Sequence, residues 1–321
     1  MILTLSRLLC AIAISLVSLA APAQQWPAKP IRIIAPFAPG GGADFMARLT
    51  SQPLSLALGQ PVVVENRVGA SGIIGYDHTL KSPADGYTIV VVSTTYSIIP
   101  SLYKLPYDPV KDMQPIIQLS RGPYVIAVHP SVPVKSVREL IAMAKASPDA
   151  LAYASSGNGA NLHLVTELFM SMAGIKMLHV PFKGTGPAIT ATVGGQTGVV
   201  FGSMYSTLPL VRSGRLRALA ITSAQRNPAA PEIPTVAESG LPGYDTFDWQ
   251  GVVGPRGMPR QVVERLNAEF TKILQAKDVT ERLLADGVVP SPGTPEEFGA
   301  FVGREIEVVR GIVTQTGIKL D

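Results

Sequence analysis

The chain has 321 residues, is 46% hydrophobic, and carries 27 basic against 23 acidic side chains for a formal net charge of +4. That length and apolar content supply a large core and set a soft prior of two domains. The charge is mild and dispersed, with no run of lysine or arginine, so it reads as a solubilising surface and argues against nucleic acid as a partner.

The N-terminus reads as an export signal. Arg7 precedes an apolar stretch over 8–20, and Ala21-Pro22-Ala23 forms an A-x-A cleavage site. The stretch is too short and too soon interrupted for a membrane span, and no later stretch approaches that length. Cleavage near Ala23 would leave 298 residues outside the cytoplasm, with 26 basic and 23 acidic side chains. Cys10, the only cysteine, leaves with the signal and has no small residue before it to suggest a lipoprotein box. The mature chain then has no disulfide, no thiol nucleophile and no thiolate metal site.

From residue 31 onward, β-branched runs alternate with helical periodicity. Strands are expected at 31–37, 61–66, 87–93, 124–129, 151–155, 198–201 and 216–222. Amphipathic helices are expected between them at 44–58, 71–81, 136–146, 161–173 and 187–194. Such alternation predicts α/β architecture with mostly parallel sheets, and the strand runs look buried on both faces. The last part differs, with helices expected at 259–276, 279–286 and 294–317. Val263, Leu266, Phe270, Ile273 and Leu274 form one apolar stripe. Thr294-Pro295-Glu296-Glu297 has the pattern of a capping box with proline at the first helical position. These helices are expected to pack on the first sheet.

Two places can pass the chain between domains, 118–125 and 246–254. They divide the mature chain into a discontinuous first domain, 24–122 plus 249–321, and an inserted second domain, 123–248. The two connections would act as a hinge.

Four turns follow strand candidates, where ligands gather in open α/β sheets. The first is 36–44, with Phe37 and Ala38 ahead of Pro39 and the glycines Gly40, Gly41 and Gly42. The second is Ser93-Thr94-Thr95-Tyr96. The third runs through Ser155, Ser156, Gly157, Asn158, Gly159, Ala160 and Asn161 into the helix of His163. The fourth is Pro181-Phe182-Lys183-Gly184-Thr185-Gly186. Each can offer backbone N–H groups at a helix start, and the second and third add hydroxyls. A helix N-terminus contributes about 0.3–1 kcal/mol to holding an anion. Several together suffice for micromolar binding, about −8 kcal/mol. Tyr96, Phe182, Tyr205 and Trp249 lie in or beside these turns or a connection, where aromatic rings stack on a ligand or pack between domains. Domain-interface packing is the expectation for Trp249.

Other chemistries fail on spacing. There is no G-x-x-x-x-G-K-[ST], and the Gly40–Gly42 turn lacks G-x-G-x-x-G. His78, His129, His163 and His179 show no zinc-site spacing, so neither metal nor cofactor is expected. Ser101-Leu102-Tyr103-Lys104 matches S-x-x-K, but Pro100 and Pro106 bracket it and no S-D-N follows.

The strings PFAPGGGAD, LGQPVVVENRVGASGIIG, DGYT, LPYDPVKD, HPSVPVKSVREL, YASSGNGANLHL, HVPFKG, GRLRALAITSAQR, IPTVAESGLPGY and GTPEEF run in order along nearly the whole mature chain. Together they resemble the Bug (TctC-like) family of periplasmic solute-binding receptors of tripartite tricarboxylate transporters. The resemblance implies a type II periplasmic-binding-protein fold: two α/β domains, two crossovers and a cleft between them. It implies capture of a small carboxylate by backbone amides, hydroxyls and water. The contacts would come from Phe37 to Gly42 and Ser93 to Tyr96 on one side. On the other they would come from Ser155 to Asn161, Phe182 to Thr185, and the Gly202 to Tyr205 segment with Ser203 and Met204. The third turn departs from the family's usual G-[ST]-x-x-H at Ala160. The strand ending at Phe201 is followed by Gly202-Ser203 where many members have an acid, an absence that argues against amino-acid ligands and for a plain carboxylate.

The expected protein is therefore a monomeric, non-enzymatic receptor. It closes on a carboxylate and delivers it to a tripartite tricarboxylate-type membrane transporter. The rivals are a sensor presenting its ligand to a signalling receptor, and an extracytoplasmic serine hydrolase using Ser101.

Overall fold

A computed structural model describes residues 26–316. The export signal and the end of the last expected helix, at Gly317, lie outside the described residues. The chain builds two α/β lobes, each around one sheet.

The first lobe begins β1 (Ile31–Ala35), α1 (Gly42–Leu58), β2 (Val62–Asn66), α2 (Ile73–Leu80), β3 (Thr88–Ser93), α3 (Thr94–Leu102) and β4 (Met113–Gly122). Pro123 alone separates β4 from β5 (Tyr124–Val128), the first strand of the second lobe. There follow α4 (Val137–Ala146), β6 (Ala152–Ser155), α5 (Asn161–Ala173), β7 (Leu178–Pro181), α6 (Thr185–Val193), β8 (Val199–Ser203), α7 (Met204–Arg212) and β9 (Arg217–Ile221). The chain then returns through β10 (Asp248–Pro255), α8 (Arg260–Gln275), α9 (Lys277–Ala285), β11 (Val289–Pro290) and α10 (Pro295–Thr316).

The sheet orders are β11-β4-β10-β3-β1-β2 and β7-β6-β8-β5-β9. In each, one strand pairs in parallel with two neighbours: β1 with β2 and β3, and β6 with β7 and β8. The expectation of mostly parallel sheets is corrected by the other pairs. β10 runs antiparallel to β3 and β4, and β5 antiparallel to β8 and β9. Each of these strands arrives from the opposite lobe and so enters its sheet against the local direction. This is the type II periplasmic-binding-protein fold that the resemblance implies.

The two passages lie side by side. Asp248 at the start of β10 pairs with Gly122 at the end of β4. The Thr222 hydroxyl accepts from the Tyr124 amide at 2.8 Å and donates to the Thr246 carbonyl at 2.8 Å. Both passages sit within strands or directly against them, because every backbone group in a buried connection needs a partner.

Burial explains why these segments form strands and helices. β3 and β5 are buried along their whole lengths, as expected for strands covered on both faces. On one face of the first sheet, Ile31, Ile33, Ile89 and Val91 pack with Leu266, Phe270 and Leu274 of α8. On the other face, Val90 and Val92 pack with Tyr96, Trp249, Phe298 and Val302. Each such large side chain contributes about 1.5–3 kcal/mol when removed from water. The capping box forms as expected: the Glu297 amide donates to Thr294 Oγ1 at 3.1 Å and the Thr294 amide donates to Glu297 Oε2 at 2.8 Å.

Two helices and four strands, counting the two-residue β11, were not legible. α3 and α7 each carry a proline in their second half, Pro100 and Pro209, which obscures the helical pattern. β4 contains Pro115 at a register irregularity, and β10 interleaves Asp248, Gln250, Gly251 and Gly254 with apolar residues. Short β7 reads as loop. Trp249, expected between domains, is instead buried in the first lobe, edge-on to Phe298 and Phe301 of α10. It alternates with Asp248 and Gln250 along β10, so it faces away from them.

Candidate functional site

Five helices begin at the cleft between the lobes. α1 and α3 start there from the first lobe, and α5, α6 and α7 from the second. Their N-cap residues are Gly41, Ser93, Ala160, Gly184 and Ser203, and none supplies a side-chain cap. The first-turn N–H groups of a helix have no intrahelical partner, so converging N-termini of this kind favour negative charge.

The residues brought to the cavity belong to both lobes. From the sequence-predicted list, the first lobe contributes Phe37, Gly41 and Ser93, and the second Ser156, Asn161, Thr185 and Ser203. Gly42, Ala43, Tyr205, Asp248 and Gln250 complete its wall. Asp248 is the only charged side chain among these lining residues and is buried.

Five neutral donors converge on the Asp248 carboxylate. Oδ1 accepts from Thr94 Oγ1 at 3.3 Å, the Tyr124 hydroxyl at 3.1 Å and Asn161 Nδ2 at 3.3 Å. Oδ2 accepts from Ser203 Oγ at 2.6 Å and the Tyr205 hydroxyl at 3.1 Å. Burial first, and then the charge of Asp248, pushes both tyrosines well above the ordinary phenol value, so they stay neutral donors. Gln250 extends the network, accepting from Ser120 Oγ at 2.9 Å and donating to the Tyr205 oxygen at 3.3 Å.

The first turn is braced from behind. Asp44 accepts from the Gly40 amide at 3.1 Å, from Arg48 Nε at 2.9 Å and from Asn66 Nδ2 at 3.0 Å. Asn66 Nδ2 also donates to the Phe37 carbonyl at 2.9 Å. Gly40 has φ of +87°, a conformation in which glycine is favoured.

The cleft is closed. The Ala38 amide donates to the Lys183 carbonyl at 3.1 Å, and Ser206 Oγ donates to the Gly40 carbonyl at 3.1 Å. The Asn161 amide donates to Thr95 Oγ1 at 3.1 Å. Ser71 Oγ and the Tyr103 hydroxyl both donate to the Asn158 carbonyl across the mouth. Phe45 of α1 stacks on Tyr205 of α7 with centroids 5.0 Å apart.

Several predicted ligand contacts sit elsewhere. Tyr96 is fully buried in the first lobe; its hydroxyl donates to the Pro109 carbonyl at 2.9 Å and its ring lies against Tyr76 and Tyr107. Met204 is fully buried and packs against Gly287. His163 accepts from the Gly159 amide at 3.1 Å and stacks on His179, so it shapes the third turn from below. The Ser155 hydroxyl bonds His179 Nε2 at 2.6 Å. Thr94 and Thr95 use their hydroxyls on Asp248 and the Asn161 amide. Ala38, Gly40 and Phe182 line an outer groove, while Gly157, Asn158 and Lys183 lie at the mouth. Gly184, with φ of +128°, backs against Phe37. The S-x-x-K serine fares no better: α3 ends at Leu102 and Tyr103 is extended, so Lys104 does not share a helical turn with Ser101.

The residues that sequence reasoning missed are Asp248, Gln250, Tyr124 and the bracing pair Asp44 and Asn66. The alternation D-W-Q on an otherwise apolar segment was the available signal for the first two. The expectation against amino-acid ligands, drawn from the missing acid at Gly202-Ser203, loses its premise, because another part of the chain supplies an acid to the same wall. β10 places the Asp248 carboxylate beside Ser203, next to the position where β8 has none.

Comparison with known proteins follows this geometry. The model of the tripartite tricarboxylate transporter family receptor matches residues 46–318. This chain belongs to that receptor family. Protein BugT of Bordetella pertussis is 39% identical over 99% of this chain and 100% of its own length. Among solved structures, an R. palustris protein with adipate has a TM-score of 0.89 at 35% identity, covering 92% of this receptor and 99% of that chain. MatC from Rhodopseudomonas palustris with bound malate has a TM-score of 0.86 at 31% identity, covering 90% and 100%. The receptor thus shares its fold along nearly its whole described length with proteins crystallised with carboxylates.

Proposed function

We propose that this receptor is exported to the periplasm, captures a small organic carboxylate by cleft closure, and delivers it to a tripartite tricarboxylate-type membrane transporter, without catalysis. The observation that carries the reading is the convergence of five helix N-termini, from both lobes, on one cavity. Such a site holds a carboxylate end through backbone N–H groups and hydroxyls. The adipate- and malate-bound relatives support the ligand class, and the family supports the transport role.

Closure needs a ligand that contacts both lobes, since only a differential interaction shifts the open–closed balance. In this reading residues 24–122 and 249–321 move as one domain and 123–248 as the other. The adjacent passages at 122–124 and 246–248 form the hinge, and the receptor works as a monomer.

A thermal-shift screen of small mono-, di- and amino-carboxylates tests it. At least one should raise the melting temperature in a concentration-dependent way. A broad acid library that gives no shift, with no ligand retained in native mass spectrometry, would overturn the reading.

A further inference from the structure

We propose that Asp248 is the specificity-determining residue of the cleft, and that it selects a carboxylate carrying an ammonium group over a dicarboxylate. The inference rests on the carboxylate reading above and narrows it.

The wall of the cavity divides by chemistry. At Gly41 and Thr185 the starts of α1 and α6 face each other from opposite lobes. A Cβ on Gly41 would lie 3.4 Å from Thr185 Cβ, and the cavity wall carries no acid besides Asp248. In this closed form the two helix starts are in van der Waals contact, and a ligand carboxylate reaches their first-turn N–H groups as the lobes part. At Asp248 the same cavity carries a carboxylate whose two oxygens accept five hydrogen bonds, and no lysine, arginine or histidine lines it in compensation.

The hydroxyls and amide around Asp248 solvate it but do not neutralise it. A second ligand carboxylate placed there would meet a like charge in a site shielded from water, where charge interactions are strongest. It would also compete for the donors that Asp248 already occupies. An ammonium meets the opposite case. It gains the attraction of the buried carboxylate, and its N–H groups find the lone pairs of Ser203 Oγ, which donates to Oδ2 and still accepts; Tyr205 Oη already accepts from Gln250 Nε2. A metal ion is the other cation to weigh, but no three metal-ligating side chains cluster among the described residues.

The position of Asp248 suits a reader of ligand identity. It lies at the return passage between lobes, and it gathers donors from α3 of the first lobe and from β5, α5, β8 and α7 of the second. A ligand charge that improves or worsens this cluster therefore acts on closure itself.

The test is calorimetric titration of the purified wild-type receptor with matched pairs. Each dicarboxylate from succinate to adipate is compared with the ω-amino acid of the same chain length and the α-amino monocarboxylate of the same carbon number. The expected result is that at least one amino acid binds ten or more times more tightly than its matched dicarboxylate. Asp248→Asn, which keeps the shape, should lower that preference at least tenfold, with a gain for the dicarboxylate. A wild-type preference for dicarboxylates overturns the inference and leaves the carboxylate reading standing. Binding of no member of either series, nor of any acid in the thermal screen, overturns both. An Asp248→Asn protein that melts lower but keeps the wild-type preference assigns Asp248 a structural role only and also overturns it. The wild-type comparison decides the matter even if the variant does not fold.

Discussion

A Cβ on Gly42 would lie 1.8 Å from the hydroxyl oxygen of Tyr205. One residue belongs to the first helix of the first lobe and the other to the last cleft helix of the second. Their contact exists only when the lobes meet. Gly42→Ala should therefore hold the cleft ajar while leaving each lobe folded, because Gly42 is not at positive φ and its one tight first-lobe neighbour, Gln250 Nε2 at 2.8 Å from that Cβ, is the end of a flexible side chain. Scattering should show a larger radius of gyration than wild type with ligand present. Affinity should fall about tenfold or more, which is about 1.4 kcal/mol. An unchanged profile and affinity would show that Tyr205 moves aside at no cost.

Asn158 is held across the mouth by Ser71 and Tyr103. Each is a single hydrogen bond between neutral groups, so Ser71→Ala and Tyr103→Phe should each weaken closure by about 0.5–1.5 kcal/mol. The effect should fall on the dissociation rate more than on association, since these bonds form after encounter. Stopped-flow release of ligand measures it.

Ser156 donates to Asn161 Oδ1 at 2.7 Å and receives the Leu162 amide at 3.4 Å, so it sets the Asn161 amide that reaches Asp248. Ser156→Ala should weaken ligand binding by about 1–3 kcal/mol, the range for a hydrogen bond serving a charged group. Calorimetry returning the wild-type constant would remove Ser156 from the site.

Asp44 gives a pH dependence. Burial pushes its carboxyl up, but hydrogen bonds from Arg48, Asn66 and the Gly40 amide outweigh this and hold it below the ordinary aspartate value. A depressed folded pKa contributes stability that is fully present above the unfolded value and lost as pH falls through the folded one. Wild type should thus lose stability relative to Asp44→Asn as pH falls below about 4. Asp286 and Glu305, raised by burial, act in the opposite sense, and the difference between the two proteins cancels them. Urea denaturation between neutral pH and about pH 3 follows this, and parallel acid limbs would count against it.

Trp249 separates stability from recognition within one strand. Trp249→Ala should cost about 3–5 kcal/mol of stability, the range for truncating a fully buried aromatic. Provided the protein still folds, the ranking of ligands should be unchanged, because Trp249 faces Phe298 and Phe301 while Asp248 and Gln250 face the cleft. A changed ranking would mean that the first-lobe core is coupled to the cavity.

Periodicity and turn chemistry carried much of this protein in the chain itself. Helix 161–173 was legible to the residue because Gly174 closes it in the left-handed conformation. The capping box at Thr294 and the apolar stripe of α8 are local patterns, written within four to twelve residues, and need no partner to be read. The motif order was enough for the family, and with it for the two-lobed fold. Phe37, Gly41, Ser93, Ser156, Asn161, Thr185 and Ser203 are shared by the expected ligand contacts and the wall of the cavity.

Which way a turn residue points was decided only in three dimensions. Thr94, Thr95 and Tyr96 are consecutive, yet one meets Asp248, one the α5 amide and one the first-lobe core, because a helix starting at Thr94 turns each by about 100°. Asp248 lies 154 positions from Thr94 and 45 from Ser203, and no local pattern joins them. They meet because β10 returns between β3 and β4 and carries its polar face to the point where both lobes close. The sequence by itself determined the receptor family, its two-lobed fold and its amide-rich turns. Only the tertiary structure placed a buried negative charge among them, because that charge arrives on a strand whose neighbours are set by topology rather than by proximity in the chain.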